Sequence, residues 1–375
     1  MRARTLVMVL IFGFAAFGQR HKMEQADATK PEGKLLQQLI QENDQARKTA
    51  LMEQFVEQFP KAEGTPWVLE QLQEIYVAAK DPDKVVSAGD KLLALDPDDA
   101  EAALQCLKAV EAKKDADAIK KYSAAASAAA RKMAAAPQPK EADEVEAWKK
   151  DVDYARQVDT YSEYALYRAA VESRDPKAAI ALGEMLEQRN PTGEYTVKVR
   201  EPMFAAYRQA GANDQALALA ERAAAAGEAD EDMLLAVTDH YLQTKNEPEK
   251  AHAYSVKIVE LMTAKAKPEG VSDADWTTRK NLVVGLAHYM NGKLYWNENR
   301  FPQADQALRS ALPLVESNAA LKPEVLYLLA YANYKLEKAQ DAANYYRACA
   351  ALKSPYQAMA TKNLQAVKAQ YTGIK

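Results

Sequence analysis

Two cysteines in 375 residues, Cys106 and Cys349, cannot build a disulfide framework. Glycine (13) and proline (16) are sparse, which argues against a sheet protein with many tight turns and against a glycine-rich phosphate cradle. Only four histidines occur: His21, His240, His252 and His288. None has partners at a zinc-type spacing, so no metal is expected and the histidines read as solvated or packed. G-x-S-x-G, P-loop and H-E-x-x-H patterns are all missing, so neither an enzyme nor a cofactor is called for. An excess of positive charge is missing too. With 49 basic and 53 acidic residues the net charge is −4, whereas a nucleic-acid partner needs a basic footprint.

The remainder is rich in alanine, leucine, glutamate, lysine and glutamine, which favours helix. The N-terminus follows a different logic. Arg2 and Arg4 precede an apolar run from Leu6 to Phe17, and small Ala16 and Gly18 offer a cleavage site before Gln19. This predicts a signal peptide over 1–18, with cleavage near Gly18/Gln19 and a periplasmic or secreted body. An uncleaved anchor is the alternative, and in that case this segment is the one contact with a membrane. No cysteine follows the run, so lipoprotein processing is not indicated. Residues 19–33 are polar and read as a disordered lead-in.

From Leu35 onward the chain repeats itself. Leu35 to Phe59 reads as a helical pair stopped at Pro60. Trp67, Leu69, Leu72 and Tyr76 mark one helix, and Val85, Gly89 and Leu92 the next, stopped at Pro97. Ala179, Gly183, Leu186 and Pro191 repeat the spacing of Val85, Gly89, Leu92 and Pro97. The clearest unit runs from Pro323 to Pro355. Leu326, Leu329, Ala330 and Asn333 stripe its first helix, and Ala342, Tyr346 and Cys349 face them from its second. Corresponding markers at Val85, Ala118, Ala179, Ala216, Ala251, Ala304 and Ala342 lie 33, 61, 37, 35, 53 and 38 residues apart. Unrelated helices would not share such a register.

This series resembles the tetratricopeptide repeat, whose unit is a helical hairpin about 34 residues long. Asn333 stands where the pattern has an aromatic, and Pro355 comes one place late. The resemblance implies an all-α, right-handed α-α superhelix of hairpins, since one hairpin cannot bury its own apolar face. Cys106 and Cys349 occupy small positions of the repeat and read as buried and inert. The two long separations are read as insertions. The first holds an alanine run, Ala124 to Ala136, before Pro137-Gln138-Pro139, and predicts a division into N-terminal repeats over 34–136 and C-terminal repeats over 137–375. A helix with Val145, Trp148, Val152 and Ala155 on one face follows. In the second, Lys265 to Ser272, Ser272 with Asp275 predicts a helix start. Ser354 as cap and Pro355 at the first position predict a closing helix that buries Ala360, Leu364, Val367 and Tyr371.

In this family the first helix of each hairpin lines a concave groove. The resemblance places Tyr289, Lys293, Trp296 and Asn297, then Tyr327, Tyr331, Tyr334 and Lys335, on that groove. Rings supply contact area and the lysines and Asn297 fix a backbone, which suits an extended protein or peptide partner. Packing of the same rings against neighbouring helices is the competing reading. The lysine and asparagine clamp with which some members hold a C-terminal carboxylate is not evident, because Tyr289 and Tyr327 stand where its first lysine would. The function expected is a non-catalytic scaffold outside the cytoplasm. Glycan or cell-wall binding, or service as accessory subunit of an envelope enzyme, stays open beside it.

Overall fold

The computed structural model describes residues 20–22, 29–371 and 373, and divides into two compact units, 1–199 and 200–375. The segment read as a signal peptide lies outside the described residues. Among them there are seventeen α-helices and no strand. No helix among them is long and apolar enough to cross a membrane.

The first unit holds α1 (Pro31–Gln41), α2 (Gln45–Gln58), α3 (Thr65–Ala78), α4 (Pro82–Leu95), α5 (Ala100–Glu111), α6 (Ala116–Ala134), α7 (Val145–Glu172) and α8 (Pro176–Arg189). The division falls within α9 (Glu194–Gln209), ahead of Pro202, which withholds one backbone donor from that helix. The second unit continues with α10 (Asn213–Ala226), α11 (Glu231–Thr244), α12 (Pro248–Ala264), α13 (Asp273–Asn297), α14 (Phe301–Ala311), α15 (Lys322–Lys335), α16 (Ala339–Ala350) and α17 (Gln357–Gln370).

Packing follows chain order. From α1 to α8, and again from α10 to α17, every helix lies against the next one. First helices also touch first helices two elements on: α3 meets α5, α5 meets α7, α11 meets α13, α13 meets α15 and α15 meets α17. Each unit is therefore a tetratricopeptide-like run of hairpins laid side by side, the arrangement that buries an apolar face no single hairpin can cover.

Short signals start and stop these helices. Aspartates at 44, 81, 99, 115, 175 and 230 accept backbone N–H bonds as N-caps, and Pro82 and Pro176 follow their caps at the first helical position. Six hairpin turns place a residue just past the first helix in the left-handed region: Lys80, Lys114, Gly211, Lys245, Asn299 and Glu337, at φ 56, 54, 73, 55, 57 and 58°, and the Lys245 turn adds Glu247 at 48°. In five of them the next backbone N–H donates back to the first helix, onto the carbonyls of Tyr76, Tyr207, Tyr241, Tyr295 and Asn333 at 2.9–3.1 Å. This is the helix-end closure that normally favours glycine. Lysine and glutamate carry a strain there that glycine would not. Lys80→Gly and Glu337→Gly are each expected to stabilise their unit by about 0.5–1 kcal/mol, read as a raised urea midpoint at unchanged slope.

The repeat markers are buried with one shift of register. Val85, Ala179, Ala216, Ala251, Ala304 and Ala342 are at most 5% exposed. Ile119 takes the inward place expected of Ala118, at 2% exposure, which puts it one full repeat from Val85. The alanine run is no insertion but the second half of α6. Ala126, Ala129 and Ala130 pack there with Ala155 and Val158 of α7, and small side chains let these two long helices approach closely. For that reason the Pro137–Pro139 stretch links two tightly packed helices, and the division at 136/137 gives way to one inside α9.

Two further expectations are corrected. Residues 19–33 are not uniformly a disordered lead-in, since Arg20 and His21 are bound to the first unit and α1 already begins at Pro31. α17 starts at Gln357 with Tyr356 as cap position, not at Pro355 behind Ser354; Ser354 lends only its carbonyl, to the Gln357 N–H at 3.1 Å. The face expected of that helix is correct. Ala360 and Val367 are buried, and Leu364 and Tyr371 pack beside them. Ser272 does cap α13, accepting the Asp275 N–H at 3.1 Å, although the Asp275 carboxylate answers the Ser272 hydroxyl rather than its backbone. Both cysteines are free and buried, and burial pushes the thiols up to about 12 for Cys106 and about 11 for Cys349.

One cap should leave a pH signature. Burial, helped by the nearby charges of Glu201, Asp232 and Glu231 and opposed by the Met233 N–H, pushes Asp230 up to about 6. The folded chain thus holds this proton more tightly than the unfolded chain. The group's contribution to stability falls as pH rises from its ordinary value toward 6, and the cost is complete above that. Asp230→Asn keeps a capping oxygen and drops the charge. It is expected to stabilise the second unit by about 1 kcal/mol near neutral pH and by almost nothing near pH 4, in urea unfolding at the two pH values.

Candidate functional site

The predicted binding residues all belong to the second unit, on the first helices α13 and α15. Helical spacing sets Tyr289, Lys293, Trp296 and Asn297 on one stripe of α13, and Tyr327, Tyr331, Tyr334 and Lys335 on the matching stripe of α15. Gly292 brings α13 against α14: a Cβ there would stand 2.6 Å from Leu308 Cγ. α15 then packs on both α13 and α14.

The stripe separates into three groups. Tyr289 is buried, and the Lys293 ammonium donates to its hydroxyl at 3.0 Å and to Glu324 at 2.8 Å. Burial first, then the Glu324 charge, drives the Tyr289 phenol far above its usual range, so it acts as a neutral group. Glu324 also holds the Tyr356 phenol high, after burial. This polar cluster is closed on itself and joins α13 to α15.

The second group is aromatic. The rings of Trp296 and Tyr331 lie 5.2 Å apart, Phe301 meets Tyr331 edge-on at 5.9 Å, and the Lys335 ammonium sits 5.4 Å from the Tyr331 ring centre. Tyr331 and Trp296 are half-buried, while Asn297 and Lys335 are exposed. The Trp296 indole nitrogen is out of water and has no hydrogen-bond partner.

The third group serves the closing helix. Asn363 of α17 donates to the hydroxyls of Tyr327 and Tyr346, both at 3.3 Å, and the Tyr334 hydroxyl donates to Gln370 at 2.9 Å. Tyr327 also lies 5.4 Å from the Tyr356 ring. For Tyr289, Tyr327 and Tyr334 the competing reading therefore holds, and their rings pack between helices. Trp296, Tyr331, Asn297 and Lys335 remain as a surface.

Several partners went unread in the sequence. Glu324 lies 31 residues from Lys293, a separation visible only once the repeat has set α13 beside α15. In the first unit a row of tyrosines also escaped notice. Tyr164 and Tyr167 of α7 each meet Tyr195 of α9 with ring centres 5.6 Å apart, and Tyr161 meets Tyr164 at 6.0 Å. Their spacing in the sequence was the available signal. The Tyr161 hydroxyl donates to Glu111 at 2.7 Å and Arg168 reaches the same carboxylate at 2.9 Å, so this row is also tied down.

No family model matches the chain, and no curated protein matches it. Among solved structures, three are similar to the chain at low scores. One is the crystal structure of the APC/C hetero-tetramer Cut9–Hcn1, at 13% identity and TM-score 0.32, covering 93% of this chain and 59% of that one. Another is the P58(IPK) TPR domain, at 13% identity and TM-score 0.29, covering 92% of this chain and 100% of that one. The third is yeast Tom70, at 14% identity and TM-score 0.25, covering 92% and 82% respectively. At such scores the assignment to a class rests on the chain's own packing: side-by-side helical hairpins with a common left-handed turn.

Proposed function

We propose that this chain is a non-catalytic adaptor outside the cytoplasm, holding a protein or peptide partner on the first-helix face of its second unit. The observation that carries the reading is the half-buried pair of Trp296 and Tyr331 rings, 5.2 Å apart, flanked by the exposed Asn297 and Lys335. The two rings supply contact area at little entropic cost, and the exposed Asn297 and Lys335 offer donors to the backbone carbonyls of a bound peptide. Rigid helical support means that few groups need ordering on binding.

Trp296→Ala and Tyr331→Ala are each expected to weaken a captured partner by about 2 kcal/mol, roughly 30-fold. The check is a cross-linking pull-down from envelope extract, followed by titration of the partner so found. Equal binding by the double variant would refute this surface. Retention on washed cell wall with no protein partner would favour the glycan reading. Export has a separate test in N-terminal sequencing of the native protein: a start near Gln19 agrees with it, and a cytosolic chain starting at Met1 does not.

A further inference from the structure

Asp96 ends α4 and Asp99 begins α5, three residues on. One oxygen of Asp99 is committed to its helix, accepting the Ala102 N–H at 2.9 Å. The other points away from the helix, and there it meets His21. The imidazole Nε2 lies 3.1 Å from Asp99 Oδ2 and 3.7 Å from Asp96 Oδ2. One ligand atom from each of the three residues falls within 4.8 Å of the others. The group is largely out of water, with side chains 13, 22 and 4% exposed for His21, Asp96 and Asp99.

Three features separate this corner from an ordinary turn cluster. The first is an imidazole brought in from 75 or more residues away, outside any helix, so no capping need explains it. The second is Glu70 of α3, which shares a hydrogen bond with the His21 backbone. Its Oε2 is buried and has no hydrogen-bond partner. The third is charge. Glu70, Asp96 and Asp99 gather three carboxylates, and the cation seated among them is Arg20, which donates to Asp96 at 2.6 and 3.1 Å. Arg20 by itself does not balance three carboxylates.

We propose that His21, Asp96 and Asp99 form a binding site for a divalent transition-metal ion, with zinc as the favoured occupant. Four ligands arranged tetrahedrally at about 2.0–2.1 Å stand roughly 3.3 Å from one another. The 3.1 and 3.7 Å separations from Nε2 bracket that edge. One nitrogen with carboxylate oxygens suits zinc better than calcium or magnesium, which take oxygen alone. Arg20 does not compete for the site. A carboxylate has lone pairs for both a guanidinium and a metal, and a hydrogen-bonded ligating carboxylate is the usual outer arrangement. Asp99 is supported in the same way by the Ala102 N–H. The fourth position falls to water. Bound metal would fasten the segment ahead of α1 to the corner between α4 and α5. This site is independent of the adaptor reading, whose residues lie in the other unit.

The test uses the full chain with zinc as the only added ion. Equilibrium dialysis and calorimetry are expected to find one tightly held equivalent. His21→Ala should weaken it at least tenfold. His21 lies outside the helices, so helix content by circular dichroism should stay the same. Asp99→Asn keeps the cap and removes the anionic ligand, and should also weaken zinc at least tenfold. Zinc should slow tryptic cleavage after Arg20 and Lys22 in the parent and not in His21→Ala. The proposal is overturned if the parent retains no zinc, if His21→Ala binds it equally well, or if equimolar calcium displaces it.

Discussion

Tyr346→Ala is expected to destabilise the second unit by about 3–5 kcal/mol, the largest effect foreseen for any single substitution in it. Tyr346 is 1% exposed and heads the fully buried side chains by size. It packs among Leu326, Ala330, Cys349, Ala360 and Val367, so its ring joins the last hairpin to the closing helix. Removing the ring opens a cavity that three separate helices line, and they cannot collapse into it together. Tyr346→Phe serves as control. It loses only the contact with Asn363 and should cost about 1 kcal/mol. Urea unfolding followed by circular dichroism measures both, and an alanine cost below about 1 kcal/mol would mean that α17 does not pack as described.

The second large effect reverses a usual sign. Gly→Ala within a helix ordinarily stabilises by about 0.5–1 kcal/mol. Gly292→Ala is expected instead to destabilise by about 1–3 kcal/mol. Its Cβ would stand 2.6 and 2.8 Å from the Leu308 side chain and 3.2 Å from the Leu308 backbone nitrogen. The side chain can yield, but the backbone of α14 cannot without moving the helix. Gly89 makes a comparable crossing in the first unit, where a Cβ would meet Cys106 Sγ at 2.1 Å and Gln73 Nε2 at 2.5 Å. Thermal unfolding of Gly292→Ala against the parent decides the matter, and a raised midpoint would contradict the close crossing of α13 and α14.

These two sites also show what the sequence could and could not reveal. Hairpins were legible wherever small residues recur opposite large ones, because that pattern and the packing share one cause: two backbones in close approach. The closing helix was legible from its apolar stripe for the same reason. Where the pattern failed, a polar group had taken over a packing role. Asn333 replaces the aromatic ring of other units and is fully buried, donating to Asp305 at 2.7 Å and to the Leu329 carbonyl at 2.9 Å, while Arg309 donates to its oxygen. No periodicity announces such a bond. The candidate surface was legible only as a stripe. Helical spacing collected eight residues, but which of them face solvent depended on α17 and on Glu324, which reach them from other parts of the chain. His21 was beyond reach for the same reason, since its partners stand 75 and 78 residues away.

Ion pairs between like positions of successive hairpins offer the most direct test of side-by-side packing. Lys84 lies 2.9 Å from Glu53, Lys121 2.7 Å from Asp90, Lys293 2.8 Å from Glu324 and Lys338 3.2 Å from Asp305. Each pair spans 31 to 33 residues, close to one repeat. Zero-length carbodiimide coupling of the native chain, read by mass spectrometry, should join these four pairs ahead of others. Coupling concentrated at much longer separations, with these pairs missing, would contradict the hairpin array.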